Sequence, residues 1–155
     1  MTSELRVARG PRETTEPVDR PGAIANRGPS RVVSVPGSGM MIEVAPHHCF
    51  ACGALNEHGL HLDLHVDGDR CWTELVVADR FQGWDGIAHG GIICTILDEV
   101  MAWSLAATDN WGLTARMSVD FKRPVRLGVP VRGEGWITTV RRRLVETAAR
   151  IVRRS

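Results

Sequence analysis

The stretch His89-Gly90-Gly91-Ile92-Ile93-Cys94-Thr95-Ile96-Leu97-Asp98-Glu99-Val100-Met101-Ala102-Trp103 decides how the chain folds. Ile92, Ile93, Ile96, Leu97, Val100, Met101 and Trp103 recur at three- and four-residue steps, the period of a helix. Apolar side chains cover about half of its circumference at 100° per residue, so the helix belongs in the interior. The pattern predicts a helix from about Gly90 to Thr108, closed by Asn110-Trp111-Gly112 with Gly112 near the C-cap.

On either side of this helix the period changes from 3.6 to two. Leu60-His61-Leu62-Asp63-Leu64-His65-Val66 alternates apolar and polar, as a half-buried strand does. Asp67-Gly68-Asp69 is a turn, and Cys71 to Val77 reads as the hairpin partner. Beyond the helix, Met117 to Phe121, Val131 to Val140 and Leu144 to Val152 read as three more strands, the last with Val145, Thr147, Ala149 and Ile151 on one face. Two strands, one apolar helix and three strands make an α+β domain. Burying such a helix calls for an antiparallel sheet curved around it. The chain stops just after the last run, which predicts an unpaired sheet edge there.

At 155 residues, with 43% hydrophobic and 24% charged residues and a formal net charge of +1, the prior is one globular domain. Residues 1–40 stand apart: they hold five of the eight Pro and no helix or strand period. They are expected to form a flexible leader, with the globular domain over 41–155. The near-neutral charge argues against a nucleic-acid binder, and no apolar run has the length of a membrane span. Residues 1–30 lack the apolar centre of a secretory signal, and four Cys are too few for a disulfide scaffold. A cytoplasmic, reducing setting is the expectation.

The chemistry concentrates at the head of the helix. Gly90 and Gly91 let a ligand approach the backbone closely, and the unpaired amides there carry the positive end of the helix dipole. Asp98 follows about two turns later, at 1.5 Å per residue, on the edge of the apolar arc beside Cys94. A partly desolvated carboxylate in that place suits a general base or nucleophile. Glu99 points to the other flank, towards Trp103, so the two acids cannot serve one small site. The plainer alternative makes Asp98 an ordinary helix charge and the glycines a packing device.

These residues also carry a resemblance. His89-Gly90-Gly91, Leu97-Asp98-Glu99, Thr114-Ala115-Arg116 and Val119-Asp120-Phe121-Lys122-Arg123-Pro124-Val125, with His48-Cys49-Phe50-Ala51-Cys52-Gly53 upstream, resemble the hotdog-fold acyl-CoA thioesterases of the phenylacetate-pathway, PaaI-like type. The resemblance implies an antiparallel sheet wrapped around one long helix, and hydrolysis of a thioester to a carboxylic acid and free coenzyme A. It implies Asp98 as general base or nucleophile, the Gly90 amide as holder of the carbonyl oxygen, His89 as orienter of the thioester and Thr114 as positioner of the water. It also implies a homodimer, often a dimer of dimers, in which Asp98 of one chain faces His89 and Gly90 of the other, with no metal or other cofactor. Two departures stand out. The Asn that many relatives carry before the glycine pair has Gln82 as its nearest counterpart, and a hotdog of this type has one more strand after Leu144 to Val152.

Gly91, Gln82, Lys122 and Arg123 are the expected substrate-binding residues, the last two for the phosphates of coenzyme A. The Arg-rich tail, from Arg132 to Arg154, could attract the same phosphates but is expected to be mainly a solvated strand face. A non-catalytic acyl-CoA-binding protein is the competing reading. A zinc module built from Cys49, Cys52, His58 and His61 is a further one, against which His61 and His65 alternate with apolar residues as exposed strand positions do. Cys94 is expected to pack, as buried thiols usually do. Phe81, Trp84 and Trp111 either line an acyl pocket or form core.

Overall fold

The structure is a computed structural model that describes residues 2–8, 31–35, 40–108, 112–142 and 144–154. Eight strands and one helix follow in the order β1 (Thr2–Ala8), β2 (Arg31–Val35), β3 (Met40–Val44), β4 (His65–Asp67), β5 (Arg70–Val76), α1 (Gly90–Trp103), β6 (Leu113–Val119), β7 (Pro130–Arg141) and β8 (Leu144–Arg153). Six of the strands form one sheet in the order β4-β5-β7-β8-β1-β6, antiparallel throughout. Strands β2 and β3 pair separately.

Helix α1 packs on the concave side of the sheet against β5, β6, β7, β8 and β1. Ile93, Ile96, Leu97, Val100 and Met101 are its buried residues, the same positions that set the helical period. They meet Val66, Cys71, Val131, Val145, Ala149 and Ile151 in one core. The helix lies closest to β7 at Gly135, where an added Cβ would come within 2.5 Å of the Val100 carbonyl oxygen. Nothing larger than glycine fits there without moving the helix off the sheet.

Several boundaries differ from the sequence reading, each for a local reason. The regular helix ends at Trp103 with Ser104 as its cap. There the Ser104 hydroxyl donates to the Met101 carbonyl at 2.6 Å, and the next turns tighten to bonds three residues apart, such as Ala106 to Trp103. The cap expected near Gly112 is therefore not used, and Asn110 and Trp111 lie outside the described residues. Burial alternates from His61 to Val66 as expected, yet only His65–Asp67 is strand. Leu60 and Leu62 give their amides to the carbonyls of Phe50 and Ala51 instead.

The larger difference lies at the start of the chain. Thr2–Ala8 and Arg31–Val35, inside the stretch expected to be an irregular leader, are strands; the rest of that stretch, apart from Met40 at the start of β3, lies outside the described residues. Strand β1 runs between β8 and β6, pairing Thr2 to Ala8 with Arg150 to Leu144 on one side and Ser3 to Ala8 with Val119 to Leu113 on the other. The free edge expected beside β8 is thus occupied, by the strand from the opposite end of the sequence. Both flanking strands have their ladder groups satisfied there. Among the described residues no helix is long and apolar enough to cross a membrane.

Candidate functional site

The loop before α1 is held from both sides. The His89 amide donates to Phe81 O, the Ala88 amide to Val125 O and the Gly83 amide to Ile87 O, at 2.8–2.9 Å. His89 is extended and caps the helix, its Nδ1 accepting the Gly91 amide at 3.0 Å. The amides of Ile92 and Ile93 both turn back to the His89 carbonyl. Of the four amides in the first helical turn, that of Gly90 is the one without an acceptor among the described residues. It is the donor left for a ligand.

Gly90 lines a cleft of about 280 Å³ with Ile87, Ala88, Phe121, Lys122 and Arg123 among others. The Phe121 ring stands over Gly90, 3.5 Å from where a Cβ would be. A larger hollow of about 730 Å³ shares Lys122, Arg123, Pro124 and Val125 and continues over Arg126, Val131, Ile151 and Arg153. Together they form a trough with an apolar floor, four cationic side chains and the free amide at one end. Lys122 and Arg123 line both hollows.

Three of the tail arginines are engaged elsewhere. Arg132 pairs with Glu74 and Glu134, Arg150 with Glu134, and Arg154 with Glu74. Arg153 instead lines the larger hollow with Arg126; the sequence reading weighed Arg153 only as one of the basic tail and did not single out Arg126, because a loop position and a strand position come to share a hollow only in the folded chain.

Asp98 is half-buried on the other side of α1, where its Oδ1 accepts the Thr114 hydroxyl at 2.7 Å. Two residues singled out on separate elements are therefore in contact. Cys94, one turn earlier, is half-buried. Burial, and then the Asp98 charge, push its thiol above the ordinary value, which opposes a nucleophilic role. Glu99 faces away, accepting the Trp103 indole N–H at 3.0 Å, so the two acids serve different places, as their angular positions predicted. Gly91 is exposed at the helix start, its amide held by His89. Gln82 spends its amide oxygen closing the 82–86 turn through the Gly86 amide at 3.0 Å.

Phe81 packs edge-on against Phe50, with ring centroids 6.3 Å apart, and joins the core. Trp84 is 84% exposed, and Trp111 lies outside the described residues. His58 and His61 are exposed and do not join Cys49 and Cys52. Among the described residues the ligand atoms that do converge are those of Cys49, Cys52 and Glu99.

Comparison with known proteins agrees with this architecture. Residues 85–155 match the family model described as thioesterase superfamily, while no curated protein matches the chain. The crystal structure of a thioesterase superfamily protein superposes with a TM-score of 0.57 at 20% identity, over 69% of this chain and 60% of its own length. The chain thus spans less than two thirds of that relative. The E. coli PaaI protein from the phenylacetic acid degradation operon gives 0.51 at 14% identity, over 61% of this chain and 84% of that one. A Streptococcus mutans protein solved bound to acetyl CoA gives 0.50 at 18%, over 64% and 94%. The chain has the hotdog fold of these structures, and its residues 85–155, just under half of its length, are similar to the thioesterase superfamily model.

Proposed function

We propose that the protein hydrolyses an acyl-CoA thioester to a carboxylic acid and free coenzyme A, as a homodimer. The observation that carries this reading is the trough that begins at the free Gly90 amide and runs beneath Lys122, Arg123, Arg126 and Arg153. A backbone N–H at a helix N-terminus stabilises the negative charge that develops on a thioester carbonyl under attack. Four cations along the same trough suit the phosphates at the far end of coenzyme A. The acetyl CoA bound by the Streptococcus mutans neighbour supports the same ligand class.

In this reading Asp98 removes a proton from water, or attacks the carbonyl itself, with the Thr114 hydroxyl fixing the carboxylate and helping to place the water. His89 orients the thioester. One chain does not supply all of these parts to one carbonyl. Gly90 and Asp98 are eight residues apart on one helix, about 12 Å along its axis, whereas nucleophile and oxyanion donor must both lie about 3 Å from the reacting atoms. A second copy meets the need by bringing its Asp98 to the first copy's Gly90. The exposed side of α1, with His89 and Gly91, and the exposed residues Leu113 to Arg116 of edge strand β6 provide an uncovered face for that copy. The chemistry draws on no metal or other cofactor. Four free thiols suit the cytoplasmic setting included in the proposal.

The test separates catalysis from binding. Asp98→Asn keeps the shape and a hydrogen-bonding oxygen but loses the base. Its kcat is expected to fall by about 10²–10⁴-fold, with coenzyme A affinity measured by calorimetry unchanged. Retention of full activity in Asp98→Asn would remove the carboxylate from the mechanism. Tight binding of acyl-CoA by the wild type without turnover would favour the binding-protein reading.

A further inference from the structure

Away from this trough, on the flank of α1 that Asp98 does not share, three side chains converge with no part in the proposed reaction. The segment Cys49-Phe50-Ala51-Cys52-Gly53 forms a tight loop closed by the Gly53 amide on the Cys49 carbonyl at 2.9 Å. A Cβ on Gly53 would sit 2.4–2.5 Å from backbone atoms of Cys49 and His47, so only glycine closes the loop this tightly. The closure turns both thiols towards the helix, where Glu99 meets them. The Cys49 and Cys52 sulfurs and a Glu99 carboxylate oxygen all lie within 4.8 Å of one another.

We propose that Cys49, Cys52 and Glu99 form a structural site for a thiophilic divalent cation of the zinc type, tying the 47–62 loop to the central helix. The spacing fits. With Zn–S near 2.3 Å and Zn–O near 2.1 Å, a tetrahedral site has an S···O edge of about 3.6 Å, and Cys49 Sγ lies 3.9 Å from Glu99 Oε2. Groups around the trio are arranged as supporting partners of metal ligands are. The Trp103 indole N–H holds the other carboxylate oxygen, Oε1, at 3.0 Å, leaving Oε2 for the sulfurs. His47 Nδ1 accepts the Cys49 amide at 3.2 Å, and its Nε2 lies 3.9 Å from Cys52 Sγ. His47 thus borders the site beside Cys52, and the fourth position is left to water. A cavity of about 120 Å³ lined by His47, Cys52, Ala54 and His61 gives the ion an approach.

This set differs from the Cys49, Cys52, His58 and His61 combination weighed on the sequence. The acid that completes it lies 47 positions beyond Cys52, on a helix face that spacing between cysteines and histidines does not reveal.

The experiment uses the full chain, reduced, freed of metal with a chelator and titrated with Co²⁺. One equivalent per chain is expected, with a thiolate-to-cobalt charge-transfer band that Zn²⁺ displaces. Cys49→Ser and Cys52→Ser are expected to abolish the band, Glu99→Gln to weaken affinity at least about tenfold, and His58→Ala and His61→Ala to leave it unchanged. The proposal is overturned if the folded wild-type chain shows no such band. It is equally overturned if Glu99→Gln binds as tightly as wild type, if the His58 or His61 variant loses the band, or if the two cysteines prove to be a disulfide under the same reducing conditions. The wild-type spectrum decides even where a cysteine variant fails to fold.

Discussion

Gly90 contributes a backbone amide, so side-chain truncation does not test it, but proline does. Position 90 is the first residue of α1 and follows an extended His89 with φ −61° and ψ 137°. Proline is tolerated at that position, and an extended residue is what it prefers before it. Gly90→Pro is therefore expected to retain the fold by circular dichroism while kcat for thioester hydrolysis falls about 10²–10³-fold, the cost of one lost oxyanion donor. Unaltered kcat in a folded Gly90→Pro enzyme would place the oxyanion elsewhere. The placement of Gly90 and Asp98 was legible in the sequence because both positions follow from helix geometry: an amide at the start, and a carboxylate on the margin of the apolar arc. The Thr114–Asp98 hydrogen bond was only half legible, since the resemblance singled out Thr114 without showing that β6 carries it to the carboxylate. Arg126 and Arg153 were less legible. Arg126 belongs to no period or motif and Arg153 was weighed only within the basic tail; they share a trough because Arg126 bridges to Ile87 while Arg153 pairs with Val131.

Elements defined by their own burial pattern were readable, and those defined by partners were not. Helix α1 and strands β5, β7 and β8 carry their period in their side chains, and Val145, Thr147, Ala149 and Ile151 of β8 are all buried as the alternation predicts. Strand β1 carries only a brief alternation, with Leu5 and Val7 apolar, ahead of Gly10-Pro11. Its position comes from the ladder groups of β8 and β6, which become available only once the rest of the sheet exists. Deleting residues 1–8 strips both neighbours of their partner. The melting temperature is expected to fall by more than about 5 °C, several kcal/mol in a domain of this size, with new aggregation through the opened edges. An unchanged melting curve and a monodisperse product would show that β1 adds nothing to the sheet.

At the scale of the whole molecule, the two halves of the proposed site are about 12 Å apart along one helix, and two copies reconcile them. If the site is shared, Asp98→Asn and Gly90→Pro chains are each inactive alone but complementary when subunits exchange. An equimolar mixture is expected to regain about a quarter of wild-type activity, because half of the dimers are mixed and each of these holds one intact site. Activity that stays at the sum of the two separate variants, in a mixture shown by mass spectrometry to contain mixed dimers, would confine the site to one chain. Whether this trough hydrolyses a coenzyme A thioester is read from thiol release with a panel of aryl- and alkyl-CoA substrates. At least one member is expected to be turned over by the wild-type dimer, with turnover collapsing in Asp98→Asn. A folded dimer that releases no thiol from any member of the panel would contradict the proposed hydrolysis.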